Sequence, residues 1–345
     1  MKPIIAIPAL VLLVHRAWSR KSLTPLGLTA AALTATAHAL HPWSTPFALL
    51  AVFYFGGTKA TKVKHDVKAR LTLSATGSEG GEGQRTHIQV LANSIVATVL
   101  ILAHTYILNQ SPDSVSASAC FQNGKSPADL LVVGIVANYA AVAADTFSSE
   151  LGILSKSKPR LITSPTFRVV PPGTNGGVTG TGLVAGVFGA FTVAATSAVL
   201  LPFCEGTGLA ERVWWTVAFT GWGALGSVVD SVLGGLLQAS VVDKRTGKVV
   251  EGEGGKKVLV HPHLRAGGST GFSGAKASAS ASAAEGVKRQ GEVGTEHESR
   301  VVESGRDLLD NNAVNVLMAF VMSVGAMGVA GWFWDVSVFD VGILR

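Results

Sequence analysis

Charge is scarce in this chain. Asp, Glu, Lys and Arg make up 14% of its 345 residues, against about 25% in an average soluble protein. Aromatic residues are few, at 7%, and there are only two cysteines, Cys120 and Cys204. So few cysteines exclude a disulfide scaffold. Beside 48% hydrophobic residues, the low charge also excludes disorder as a whole-chain state, which needs low hydrophobicity and high charge. No basic patch interleaved with aromatics is present, so the net charge of +6 is not read as a nucleic-acid surface. What the chain has in excess is glycine, 40 residues of it, at a mean hydropathy of +0.39. Small residues in an apolar chain are the composition of packed transmembrane helices. The expected fold class is all-α: one polytopic integral-membrane domain over 1–345, with seven or eight spans.

A spanning helix needs about 20 mostly apolar residues. Eight candidate spans can be drawn, over 3–15, 23–40, 43–58, 88–109, 128–147, 177–201, 213–238 and 313–334. The first is short and carries Pro8. The second and third are separated only by the turn around His41 and Pro42. Four alternate connections, 16–22, 59–87, 155–176 and 241–311, hold 24 of the 28 Lys and Arg residues. That is the positive-inside pattern, and it puts those connections in the cytosol and both termini on the other side. Cys120 and Cys204 then share the non-cytosolic side. A bond between them is conceivable there, although nothing in their spacing calls for one. Two cytosolic segments, 73–86 and 266–299, are low in complexity, the first Gly/Ser/Glu-rich and the second carrying Ser-Ala repeats. Neither has enough apolar surface to offset the entropy of ordering, so both are read as tethers.

Ionisable and amide groups inside spans are costly and suggest function. In the fifth span, Asn138, Ala141, Asp145, Ser148 or Ser149, and Gly152 share one helical face. Glu150 falls about 100° off that stripe, where it either assists Asp145 or reaches water at the helix end. In the seventh span, Gly223, Ser227, Asp230, Gly234 and Gln238 form a second stripe of polar and small residues. Asp230 has apolar neighbours on both sides, so it must be paired, protonated or metal-bound. The eighth span opens on Asp310, a good N-cap, followed by Asn311, Asn312 and Asn315. A glycine-dense loop with Gly173, Thr174, Asn175, Gly176 and Gly177 opens the sixth span. Backbone amides at a helix N-terminus can cradle phosphate, although this loop lacks the Gly-Lys-Ser/Thr ending of a P-loop. Gly182 and Gly186 fit small-residue helix packing equally well. The segment 56–70 supplies Lys59 and Lys62, either to bind phosphate or to anchor the span at anionic headgroups.

All five segments fall at the cytosolic boundary of the charge-derived topology. Carboxylates and cations can meet there as a magnesium–polyphosphate site, because magnesium takes one or two carboxylates, keeps waters and bridges phosphates. Phosphoryl transfer needs little beyond positioning and charge neutralisation. A nucleotide would enter from the cytosol and a lipid acceptor sideways from the bilayer.

The segments GTKATKVK (57–64), ADTFSSELG (144–152), PGTNGGVT (172–179), GSVVDSVLG (226–234) and LDNNAVN (309–315) resemble, in order, the transmembrane protein 19 family, also called domain of unknown function 92. That family includes a plant phytyl-phosphate kinase. The stretch from Asp145 to Gly152 also looks like the Asp-x-x-Ala-x-x-x-Gly element of CTP-dependent polyprenol kinases, with Ser148 at the Ala position. The N-terminus is apolar and not Ser/Arg-rich, unlike a chloroplast transit peptide, so the broader acceptor class implied is an isoprenyl monophosphate. The resemblance implies an intracellular endomembrane kinase that passes the γ-phosphate of CTP or another nucleoside triphosphate to an isoprenoid lipid monophosphate. Asp145 and Asp230 would hold Mg2+, with Glu150 assisting. Lys59, Lys62 and Arg168 would neutralise phosphates, the 173–177 loop would cradle them, and Asn311, Asn312 and Asn315 would orient nucleotide or acceptor. Two other readings fit the residues: a transporter or ion relay through Asp145 and Asp230, whose segments look faintly repeated, and a non-catalytic membrane scaffold.

Overall fold

The computed structural model describes residues 1–80, 83–110, 120–258 and 299–337. A long helix stands at each of the eight expected spans: α1 (Pro3–Ser19), α2 (Pro25–Leu40), α3 (Thr45–Lys62), α5 (His87–Gln110), α6 (Asp129–Gly152), α7 (Gly180–Leu200), α8 (Leu209–Leu237) and α9 (Asn311–Trp334), with a short α4 (His65–Ala69) after α3. Five of them, α5 to α9, are long and apolar enough to cross a membrane by length and composition. The helices start where the sequence provides caps. Thr24 Oγ1 accepts from Gly27 N ahead of Pro25, and Asp310 Oδ1 accepts from Ala313 N at 2.8 Å, each satisfying an amide that has no partner inside the helix.

The chain is mostly helical but not purely so. Strands β1 (Leu73–Ser74), β4 (Ser240–Asp243), β5 (Lys248–Glu251) and β6 (Arg300–Ser304) form a sheet in the order β1-β5-β4-β6, and β2 (Arg160–Leu161) pairs with β3 (Gly177–Val178). β1 runs parallel to β5, while β4 is antiparallel to both β5 and β6. Part of the expected tether at 73–86 is therefore built into structure. Leu73 is buried, and Arg85 exchanges backbone bonds with Ser22 and Thr24. Residues 81–82 and 266–298 of the two low-complexity segments lie outside the described residues.

Helix α6 is the core. From Asp129 to Asp145 every residue is buried, so its sides face protein rather than lipid. Apolar burial gives little drive between helices in lipid, so close van der Waals packing must hold them. The sequence supplies it with alanines on α6 and glycines opposite. A Cβ on Gly189 of α7 would stand 2.6 Å from the Ala143 carbonyl oxygen. One on Gly223 of α8 would stand 2.8 Å from the Ala140 backbone, and one on Gly226 of α8 2.5 Å from Ala141 Cβ. Only glycine lets these backbones approach so closely. The outward faces carry exposed Ile4, Val11, Val184, Phe188, Phe320 and Val324, the surface a bilayer covers.

The two ends differ. One end joins Cys120 to Cys204 in a disulfide, with Cα atoms 4.9 Å apart. Phe121, Phe203, Trp215 and Trp334 pack edge-on beside it. Trp214 and Trp332 are exposed near this end, as interfacial anchors are. The other end gathers the basic connections and the four-stranded sheet. A disulfide forms in an oxidising compartment, so its place opposite the basic end agrees with the charge-derived topology.

Two outcomes follow from this packing. Gly226→Leu should lower the thermal unfolding temperature in detergent by an amount corresponding to about 1–3 kcal/mol of overpacking. Gly221→Leu, where a Cβ meets nothing within 4 Å, should leave it unchanged; equal melting of the two variants would contradict the packing account. In sealed vesicles with the cytosolic face outward, an impermeant maleimide should fail to label reduced Cys120 and Cys204 until the membrane is opened. Labelling from outside would reverse the topology.

Candidate functional site

A cavity of about 1100 Å³ opens at the basic end. The N-termini of α7 and α9 and the C-terminal thirds of α6 and α8 surround it, and the β4–β5 region borders it. Asp145 and Asp230 meet in its wall within hydrogen-bonding reach of each other. Each lies seven residues before the end of its helix, about 10 Å along the axis. The glycine contacts at Gly223 and Gly226 bring α8 against α6 just before the two carboxylates, so the packing and the acidic pair share a cause.

The pair's neighbours are polar but uncharged. Ser149 Oγ lies 3.5 Å from Asp145 Oδ1. The Asn315 amide, oriented to donate, reaches Asp230 Oδ1 at 3.3 Å and the Asn311 carbonyl at 3.2 Å. Among the described residues, neither aspartate takes part in an ion pair. Two adjacent carboxylates with no cationic partner repel when ionised, and a bound cation relieves that repulsion. Among the described residues there is no group of three or more His, Cys, Asp or Glu that could cage a metal unaided. Two carboxylates beside amide and hydroxyl groups in a roomy cavity of mixed lining fit Mg2+, which retains waters and shares its coordination with substrate phosphates.

Glu150 lines the same cavity but is engaged elsewhere. Its Oε1 accepts from Thr61 Oγ1 at 2.8 Å, and its Oε2 forms an ion pair with the largely buried Lys68. Lys68 Nζ also donates to the Ala60 carbonyl at 3.1 Å, and Arg85 Nη2 donates to Thr61 Oγ1 at 2.9 Å. Glu150 thus ties α6 to α3 and α4. Lys68 and Arg85 were not singled out by the sequence, although Lys68 lies within the 56–70 segment.

The other expected residues divide. Lys59 and Lys62 are exposed and do not line the cavity. Arg168 also lies outside it, paired with Glu303 Oε1 at 2.5 Å and donating to the Glu303 carbonyl at 2.9 Å. Exposed lysines at the rim are Lys156, Lys158, Lys256 and Lys257, with the half-buried Arg85 also in the lining; Lys257 is engaged by Asp307 at 3.2 Å. Gly173, Thr174, Asn175, Gly176 and Gly177 do line the cavity. Three of their amides are already used: Thr174 N by the Pro171 carbonyl, Asn175 N by Ser240 Oγ and Gly177 N by the Thr174 carbonyl. The positive φ of Gly176 lets the loop lie on α8, where a Cβ would stand 2.8 Å from Gly235 Cα. Asn311 Oδ1 lies 3.5 Å from Gln238 Nε2. Asn312 is buried, donates to the Gly254 carbonyl at 2.9 Å and leaves its Oδ1 without a hydrogen bond.

Comparison with known proteins agrees with this architecture. Protein PGR of Arabidopsis thaliana is 36% identical over 255 residues, 69% of this chain and 80% of that protein. An uncharacterized membrane protein of Methanocaldococcus jannaschii is 40% identical over 107 residues, 31% of this chain and 40% of its own. Protein VTE6, chloroplastic, of Arabidopsis thaliana is 28% identical over 178 residues, 52% of this chain and 47% of that protein. No solved structure matches. The family described as integral membrane protein DUF92 matches residues 8–323. The chain is a multi-pass integral membrane protein and belongs to that family.

Proposed function

We propose that this protein is a membrane-embedded phosphotransferase that converts an isoprenoid lipid monophosphate to the diphosphate at the expense of a nucleoside triphosphate. The observation that carries the reading is the Asp145–Asp230 pair without a cationic partner, in a large cavity at the basic end of the bundle. The family resemblance to phytyl-phosphate and polyprenol kinases supports the chemistry, and the relative named as chloroplastic supports an intracellular endomembrane setting.

In the step, an oxygen of the acceptor phosphate forms a bond to the nucleotide γ-phosphorus as the β–γ bridging P–O bond breaks. The products are a nucleoside diphosphate and an isoprenyl diphosphate. A phosphate acceptor is already anionic at neutral pH, so no general base is required, and the main task is to overcome repulsion between two polyanions. Asp145 and Asp230 would hold Mg2+, which supplies charge neutralisation and orients the phosphates when bound. Lys156, Lys158 and Lys256 at the rim would attract the nucleotide from the cytosol. The N-terminal ends of α7 and α9, which also line the cavity, add positive potential there. Asn311 and Asn315 hold Asp230 and the end of α8 in register. In this reading Glu150 acts chiefly as a brace, each of its oxygens accepting from a group on α3 or α4.

Asp145→Asn and Asp230→Asn should each lower diphosphate formation from geranylgeranyl monophosphate roughly 10²-fold or more, with unchanged elution on size exclusion. Excess EDTA should do the same to the parent protein, and added Mg2+ should restore it. Full turnover in both variants would remove the metal site, and no product with any nucleotide would remove the kinase reading. Lys68→Met should cost about 1–3 kcal/mol of stability by leaving the half-buried Glu150 carboxylate without its cation. The double variant Lys68→Met/Glu150→Gln should recover much of that loss while retaining turnover. Loss of turnover in a stable double variant would return Glu150 to the catalytic set.

A further inference from the structure

The large cavity would take phosphates and nucleotide in the proposed reaction, but the tail of a lipid acceptor needs an apolar seat. A second, smaller hollow of about 310 Å³ lies beside it, between the first turns of α5 and α9. Its lining is apolar: Ile88, Leu91, Ala92 and Ile95 on α5, and Ala313 and Val316 on α9. Asp310 and Asn312 complete it, and both also line the large cavity. The two spaces therefore share a wall at the start of α9. At that wall Asn312 is 3% exposed, and its amide is held by the Gly254 carbonyl at 2.9 Å. On the outer side the hollow opens between partly exposed apolar side chains, with Ile88 40%, Leu91 37% and Ile95 37% exposed.

A lipid phosphate must divide itself between two solvents. Its headgroup needs water and cations, and each methylene of its chain gains about 0.8 kcal/mol by staying out of water. A site serving such a molecule needs a polar chamber and an apolar groove in contact at headgroup depth. The start of α5 and the start of α9 provide that contact on the cytosolic side. The α5 face bearing Leu91 and Ile95 is continuous with lipid-exposed Val99, so a chain can enter sideways without leaving the bilayer.

We infer that the α5–α9 groove seats the proximal part of the acceptor's isoprenoid chain and is the lateral entrance by which its phosphate reaches Asp145 and Asp230. This rests on the phosphotransferase reading for the identity of the headgroup, whereas the groove's occupancy can be read without turnover.

The test uses the full chain in nanodiscs with an isoprenyl monophosphate carrying a diazirine on its chain. Photolabelling should fall on residues 88–95 and 313–316. Excess geranylgeranyl monophosphate should compete with it, and geranylgeraniol, which lacks the phosphate, should not. Ile95→Trp, which fills the groove from a lipid-facing position, should cut the competed label about tenfold, whereas Val99→Trp, beyond the groove, should leave it unchanged. In turnover assays Ile95→Trp should raise KM for geranylgeranyl monophosphate about tenfold. It should leave KM for the nucleotide as in the parent. Competed label on other helices, or undiminished label in Ile95→Trp, overturns the groove. Competed label in the groove without diphosphate formation upholds the groove and overturns the kinase reading instead.

Discussion

The structure depends on how closely α8 and α7 approach α6. Two carboxylates from separate helices can meet in a bilayer only if the backbones behind them are nearly in contact. That contact is made by glycine against alanine, at Gly223 and Gly226 on one side and Gly189 on the other. Packing of this kind is short-ranged and unforgiving, because dispersion contacts are lost over fractions of an ångström. The acidic pair sits one turn beyond the tightest contact. Its geometry is therefore inherited from helix packing and not from flexible loops, which suits a site that must hold charges in a fixed relation.

The architecture was legible where its cause was local. Spans are read from runs of apolar residues, and a helix stands at each of the eight places so identified. Sidedness is read from loop charge, and the alternating basic connections do gather at one end. The Asp145 and Asp230 stripes converge because each is set by a 3.6-residue period on its own helix. The features that were missed have non-local causes. Cys120 and Cys204 are 84 residues apart, and what brings them together is the length of α6 and α7 between them. The sheet is made of strands of two to five residues, too short to stand out from their loops, and its register joins segments more than 150 residues apart.

The basic segment 56–70 shows the same divide at the level of single residues. Read as a line, Lys59 and Lys62 are the natural phosphate ligands. In the fold, α3 continues through both and turns them outward. The backbone then enters the left-handed region at Lys64, with φ of 47°, and α4 starts in a new direction. That turn brings Lys68 inward to Glu150. A lysine run specifies positive charge at the membrane boundary, but a single backbone reversal decides which of its members faces the core.

The Glu150 brace and the bare aspartate pair lie close together, yet they handle charge in opposite ways. At Glu150 the protein provides its own cation and fills both carboxylate oxygens, so the group is satisfied in the fold and adds rigidity between α3 and α6. At Asp145 and Asp230 it provides only Ser149 and Asn315, neutral groups that orient the oxygens without compensating them. Setting two acids side by side without a cation is expensive, and three asparagines at the start of α9 would be a costly means of capping one helix that Asp310 already caps. The cost is understandable if the missing positive charge arrives from outside, and the cavity that both aspartates face is large enough, and basic enough at its rim, to admit it together with phosphates. The 144–152 stretch thus reads as one motif in sequence but divides in space: Asp145 meets Asp230, and Glu150, five residues on, is tied to α3 and α4.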